Sequence, residues 1–226
     1  MLMAIWWVTE ATPIPVTALL PLALFPLLGI LPAKATAAEY GHHIVFLFLG
    51  GFMIATAMQK WNLHRRIALQ VMRVVGVSTG RVLLGVMLAT AGLSMWISNT
   101  ATAMMMFPIA TAMVHQLAAR TEDPAQAERV LGRVMMLGLA YAASIGGVAT
   151  LIGTPPNVVL AGAFEASYPG ASPIGFAQWM AFGLPFTLIM LPIAWFVILR
   201  MAGGAQLAAL DTRRASIDVI QDELVA

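Results

Sequence analysis

Long apolar runs alternate with short polar interruptions along this chain, and the interruptions carry most of its information. Residues 2–31 form a first apolar segment that contains Glu10, Pro13, Pro15, Pro21 and Pro26. Proline inside a helix removes a donor and clashes with the preceding turn, so the pattern predicts a kinked or broken helix. Residues 33–43 read as a short loop. A second apolar segment follows over 44–59, where Gly50-Gly51 predicts close helix packing through small residues. Between 60 and 81, Lys60, Arg65, Arg66, Arg73 and Arg81 are interleaved with Ile67, Leu69, Val71, Met72, Val74 and Val75, without an acid. A basic amphipathic stretch of this kind lies in the membrane interface on the cytoplasmic side. The run 82–118 is apolar apart from a short polar patch centred on Ser98-Asn99-Thr100. Within 134–164 the pattern predicts two half-helices, 135–145 and 158–164. The stretch between them cannot be one continuous helix, because glycines loosen the backbone and Pro155-Pro156 removes two donors. Residues 176–200 form a last apolar span, and 201–226 read as a polar cytoplasmic linker or short surface helix.

Composition fixes the solvent. Hydrophobic residues make up 60% of the 226, charged residues 10%, and the mean hydropathy is +0.86. That balance is far from a soluble domain and predicts an all-α integral membrane protein, with about 20 residues for each crossing. The net charge of +2 does not mark a nucleic-acid binder, because the basic residues sit at the ends of apolar segments, where the positive-inside rule accounts for them. Without cysteine there is no disulfide framework, thiolate metal site or thiol nucleophile. The first residues lack the charged region and cleavage site of a signal peptide.

Charge also orients the chain. The cluster over 60–81 and the cluster Arg120, Arg129 and Arg133 are both expected on the cytoplasmic side, as are Arg200, Arg213 and Arg214, whereas 165–173 has no Lys or Arg. The apolar residues between the first two clusters must then enter and return, with legs of only about 16 to 18 residues, near the lower limit for a span. A re-entrant helical hairpin over 82–118, its tip at Ser98-Asn99-Thr100, satisfies both conditions; two short full spans are the alternative. A helix broken at mid-membrane exposes opposed dipole ends, which transporters use to hold cations and anions. Glu10 reads either as an ion or proton site or as an interfacial residue beside Trp6 and Trp7. His115, near the end of the hairpin run, has no partner recognisable in the sequence. An intramembrane hydrolase would need a nucleophile with its base, an acid pair or a metal motif, and none is visible.

Three stretches together carry a specific resemblance: the Ser98-Asn99-Thr100 hairpin, the segment 143–157 ending Gly153-Thr154-Pro155-Pro156-Asn157, and the opening 6–21. Up to about Arg200 the chain resembles the divalent-anion:sodium symporter family of di- and tricarboxylate carriers. The resemblance implies an elevator-type transporter of two inverted repeats in the inner (plasma) membrane, homodimeric at full length and coupled to Na+. It places sodium at Ser94, Ser98, Asn99 and Gly153, and the substrate carboxylates at Ser98, Asn99, Thr100 and Thr154. It assigns 1–59 and the last span, 176–200, to a scaffold, and the hairpin and broken helix to the moving part. A second hairpin and a second broken helix are not in this sequence, which looks like a first repeat shortened at both ends. Its expected partners are therefore a di- or tricarboxylate such as succinate or citrate, membrane lipid, and a separately encoded second half. A non-transporting membrane fragment or subunit is the other reading.

Overall fold

A computed structural model describes residues 2–75, 79–119, 121 and 123–201. Arg120 and most of the expected polar tail, with Arg213 and Arg214, lie outside the described residues. Among those described, every regular element is helical. The helices are α1 (Leu2–Thr9), α2 (Ile14–Leu27), α3 (Ala33–Tyr40), α4 (His43–Lys60), α5 (Leu63–Val75), α6 (Thr79–Ser94), α7 (Asn99–Ala118), α8 (Pro124–Val148), α9 (Pro155–Ser167) and α10 (Phe176–Met201). By length and composition, α7, α8, α10 and the stretch Ala33–Lys60 are each able to cross a membrane, so the chain has the make-up of a multi-pass membrane protein.

The chain divides into two compact units, Met1–Gly50 and Gly51–Ala226. In the first, the apolar segment is broken as expected, but at Glu10–Pro13 rather than at the inner prolines: Pro21 and Pro26 lie inside α2. Glu10 takes φ 48° there, is exposed, and has no hydrogen bond or ion pair among the described residues. The expected loop at 33–43 is largely helix α3. Its polar residues are absorbed locally: the buried Thr36 donates to the Pro32 carbonyl at 3.2 Å, and the Tyr40 hydroxyl reaches the Ala18 carbonyl on α2 at 2.7 Å.

The second unit is built around α8. Helices α6, α7 and α10 pack on it, and α5 covers α6. Helix α5 buries one face: Ala68 and Leu69 enter a core shared with Val82, Leu83, Val86, Met87, Met106, Leu131 and Met135. Glycines set the spacing. A Cβ on Gly146 would come within 2.5 Å of the Ala91 Cα on α6, and one on Gly138 would meet Leu83 and Met87. A Cβ on Gly183 of α10 would lie 2.6 Å from the Val148 carbonyl oxygen. Backbone meets backbone here, as small residues allow between membrane helices. Of the Gly50-Gly51 pair, only Gly51 is closely packed, against Ile152, and Gly50 faces open space. His115 does have a partner: its Nδ1 lies 3.1 Å from Glu128 Oε1, tying the end of α7 to the start of α8.

The expected break in the fourth apolar segment is present and shorter than the pattern indicated. Helix α8 continues through Gly146-Gly147 to Val148, and Pro155 and Pro156 open α9 instead of lying in the link. Proline is well suited to that first turn, where its missing N–H would have had no partner in the helix. It also holds the preceding Thr154 extended, at φ −148° and ψ 143°. The last four carbonyls of α8 lack intrahelical partners by construction, yet each has a donor. Thr187 Oγ1 reaches Ile145 at 3.0 Å, the Ala149 N–H reaches Gly146 at 3.0 Å, Asn157 Nδ2 reaches Gly147 at 2.8 Å, and Trp179 Nε1 reaches Val148 at 2.9 Å. Two of these donors belong to α10, and Trp195 Nε1 of α10 also reaches the Gly80 carbonyl of α6 at 2.8 Å. Helix α10 is thus bound to α8 and α6, because its indole and hydroxyl donors and Gly183 fit the end of α8.

Three stability measurements follow. Gly146→Val is expected to lower the thermal unfolding midpoint sharply, by overpacking on the order of 3 kcal/mol, because the opposing atoms are backbone. Gly50→Ala is expected to be neutral or to add about 0.5–1 kcal/mol through helix propensity. Trp179→Phe keeps the ring but leaves the Val148 carbonyl without its donor, and should cost about 1–3 kcal/mol in the same melt.

Candidate functional site

Two helix interruptions meet beside α8. The first is the turn Met95–Ser98 between α6 and α7; the second is the link 149–154 between α8 and α9. They are tied directly, because the Thr150 hydroxyl donates to the Met95 carbonyl. Ser98, at φ −54° and ψ 148°, is the N-cap of α7 and accepts the Ala101 N–H at 3.4 Å. The polar triplet marks a helix start for an ordinary reason: a serine oxygen satisfies one of the amides the first turn leaves over.

Ser94, Asn99 and Gly153 converge. Ser94 is 0% exposed, and its Oγ lies 2.8 Å from Asn99 Oδ1 and 2.7 Å from the Ala143 carbonyl oxygen. A hydroxyl has one proton, so it donates to one of these acceptors at a time. The Asn99 amide rests on Gly147: a Cβ added there would collide with Asn99 Oδ1 and come within 3.0 Å of its Cγ. Gly153 also lies against Gly147, where a Cβ would meet the Gly147 carbonyl. Gly147 is therefore the floor on which an amide oxygen, a hydroxyl oxygen and a glycine backbone assemble. Within the glycine-rich segment nothing distinguished it from its neighbours; only the approach of Asn99, at the start of α7, to α8 does.

The remaining expected residues lie around this cluster. Thr100 is exposed in the first turn of α7, and Thr154 is half-buried at the N-cap of α9 without a side-chain capping bond. Among the described residues, the Asn99 and Thr100 N–H groups have no hydrogen-bond partner, so α7 begins with free amides. Helix α9 begins with two prolines and has no N–H at either position. Both starts present a positive dipole end, but only α7 adds directional donors. Asn157, buried in the first turn of α9, completes the arrangement by donating to the Gly147 and Thr150 carbonyls, each at 2.8 Å.

Neutral oxygens gathered at a helix break suit a hard monovalent cation, and free amides at an adjoining helix start suit an anionic group. Comparison with known proteins points the same way. A family model described as citrate transporter matches residues 4–222. A sodium-dependent dicarboxylate transporter of Staphylococcus saprophyticus is 44% identical over 197 residues, covering 86% of this chain and 38% of that protein. A protein of the same name from Staphylococcus aureus is 42% identical over 224 residues, covering 98% of this chain and 42% of its own length. The chain thus spans about two fifths of the length of these curated relatives. A match along nearly the whole chain, to proteins named as transporters rather than enzymes, means that it belongs to the divalent-anion:sodium symporter family.

Proposed function

We propose that this chain supplies one repeat of a sodium-coupled di- or tricarboxylate carrier in the inner membrane, holding a sodium ion and part of the carboxylate site. The observation that carries this reading is the meeting of Ser94, Asn99 and Gly153 on Gly147, where two helix interruptions are tied together. Sodium takes Ser94 Oγ, Asn99 Oδ1, Ser98 and the Gly153 backbone. Its arrival breaks the Ser94–Asn99 hydrogen bond, and the Ser94 proton turns to the Ala143 carbonyl, which already lies within reach. No buried donor is stranded, so loading and unloading the cation is inexpensive in a site without formal charge. The carboxylate binds beside it, at the Asn99 and Thr100 amides and the hydroxyls of Ser98, Thr100 and Thr154. The bound cation adds its field to the two helix dipoles, which couples anion binding to sodium.

In this reading α6 and α7 form a re-entrant hairpin, and α10 travels with it and the broken helix as one rigid group, since its donors cap α8. That group moves as an elevator against a scaffold that forms the homodimer. The rest of the substrate site comes from a second repeat outside this sequence.

Two experiments test this. The chain has no cysteine, so Arg66→Cys and Arg129→Cys each provide a single label. A re-entrant hairpin leaves both open to a membrane-impermeant maleimide from the same face, and labelling from opposite faces would sink the topology. For the cation, sodium replacing choline should raise the melting temperature of the purified chain saturably. At a tenfold excess over its Kd it adds about 1.4 kcal/mol, a shift of a few degrees. Asn99→Ala should remove that shift; an equal melt in both salts for the unaltered chain would remove the site.

A further inference from the structure

Asn157 is a buried polar group at the break to which the proposed mechanism gives no task. It is 6% exposed, and Nδ2 donates to the carbonyls of Gly147 and Thr150. As the third residue of α9, its side chain leans back over the start of its own helix. In a capping box that position holds a Glu or Gln that accepts from the N-cap amide and so supports its own helix. Here the polarity is reversed: Asn157 donates, and the beneficiaries are the last turn of α8 and the link beyond it.

The link does not need this tie in order to turn. The Gly153 N–H already donates to the Thr150 carbonyl at 3.3 Å, and the Ala149 N–H closes onto Gly146. What the amide adds is a fixed spacing between Gly147 and Thr150. Each of these supports one side of the cluster: Gly147 lies beneath Asn99 and against Gly153, and Thr150 holds the Met95 carbonyl in the turn before Asn99. A shift of either would move Asn99 Oδ1 relative to the Gly153 backbone.

We propose that Asn157 is a positioning residue for sodium, setting the separation of Asn99 Oδ1 and the Gly153 backbone by holding Gly147 and Thr150 together. This rests on the cation site described under Proposed function. It predicts a loss of sodium affinity from a residue that does not touch the ion. Groups that orient metal ligands from behind are commonly worth a factor of about 10 to 100 in affinity.

The test uses the purified 226-residue chain in detergent, with sodium chloride titrated against choline chloride at constant ionic strength. Melting temperature and helical circular dichroism are both read. Asn157→Leu, close in volume but without donors, should keep its helicity and raise the half-saturating sodium concentration about tenfold or more. Asn157→Ser, which supplies one donor, should fall between Leu and Asn, and it carries the test if the leucine variant does not fold. If both variants melt lower in choline yet keep the original half-saturation, Asn157 is only a structural tie and the inference is overturned. If the unaltered chain shows no saturable response, the cation site itself is removed, and the inference with it.

Discussion

A helix that stops inside a packed interior leaves carbonyls that must find partners there, and the end of α8, where Gly146, Gly147 and Ala149 are buried, is such a place. Each unpaired group there would cost about 1–3 kcal/mol. The chain meets this constraint with four donors drawn from three separate places: α10, the link and α9. The demand to satisfy one helix end recruits the last span to the hairpin, fixes the register of α9 and brings the two interruptions together. The glycines follow from the same demand. A donor on a side chain as short as that of Thr187 reaches those carbonyls because Gly183 lets the α10 backbone come close to the end of α8.

Much of this was legible in the sequence where a rule is local. Pro155-Pro156 forbade one continuous helix, and the polar patch Ser98-Asn99-Thr100 marked the interruption that separates α6 from α7. The misses have a common cause. The 33–43 stretch looked like a loop because its polar residues seemed to want water, but the Thr36 hydroxyl is satisfied by its own helix and Tyr40 reaches across to α2. Gly147, Trp179 and the His115–Glu128 pair depend on how helices cross, and no spacing along one segment reveals a crossing. The packing of α10 on the end of α8 likewise rests on two donors and one glycine that its own segment does not single out.

Ser94 shows how a buried hydroxyl can keep an alternative partner. Its hydroxyl has two acceptors within hydrogen-bond reach, Asn99 Oδ1 and the Ala143 carbonyl, and is fully buried with both. Redundancy of this sort is uncommon in a packed interior, where each donor usually has a single good acceptor. It lets the polar group change partner without rearranging the helices that carry it.

The two helix starts at the site differ in kind, and the difference lies in two proline rings. Free amides at the head of α7 have fixed directions, so they respond to the shape of what they hold. The head of α9 has lost its first two N–H vectors and keeps only the dipole and one threonine hydroxyl, so it responds mainly to the sign of a charge. One end of an anion would be gripped by geometry while the other is merely attracted. A change near α9 would then alter an attraction that has no direction, while the directed amides at α7 keep theirs.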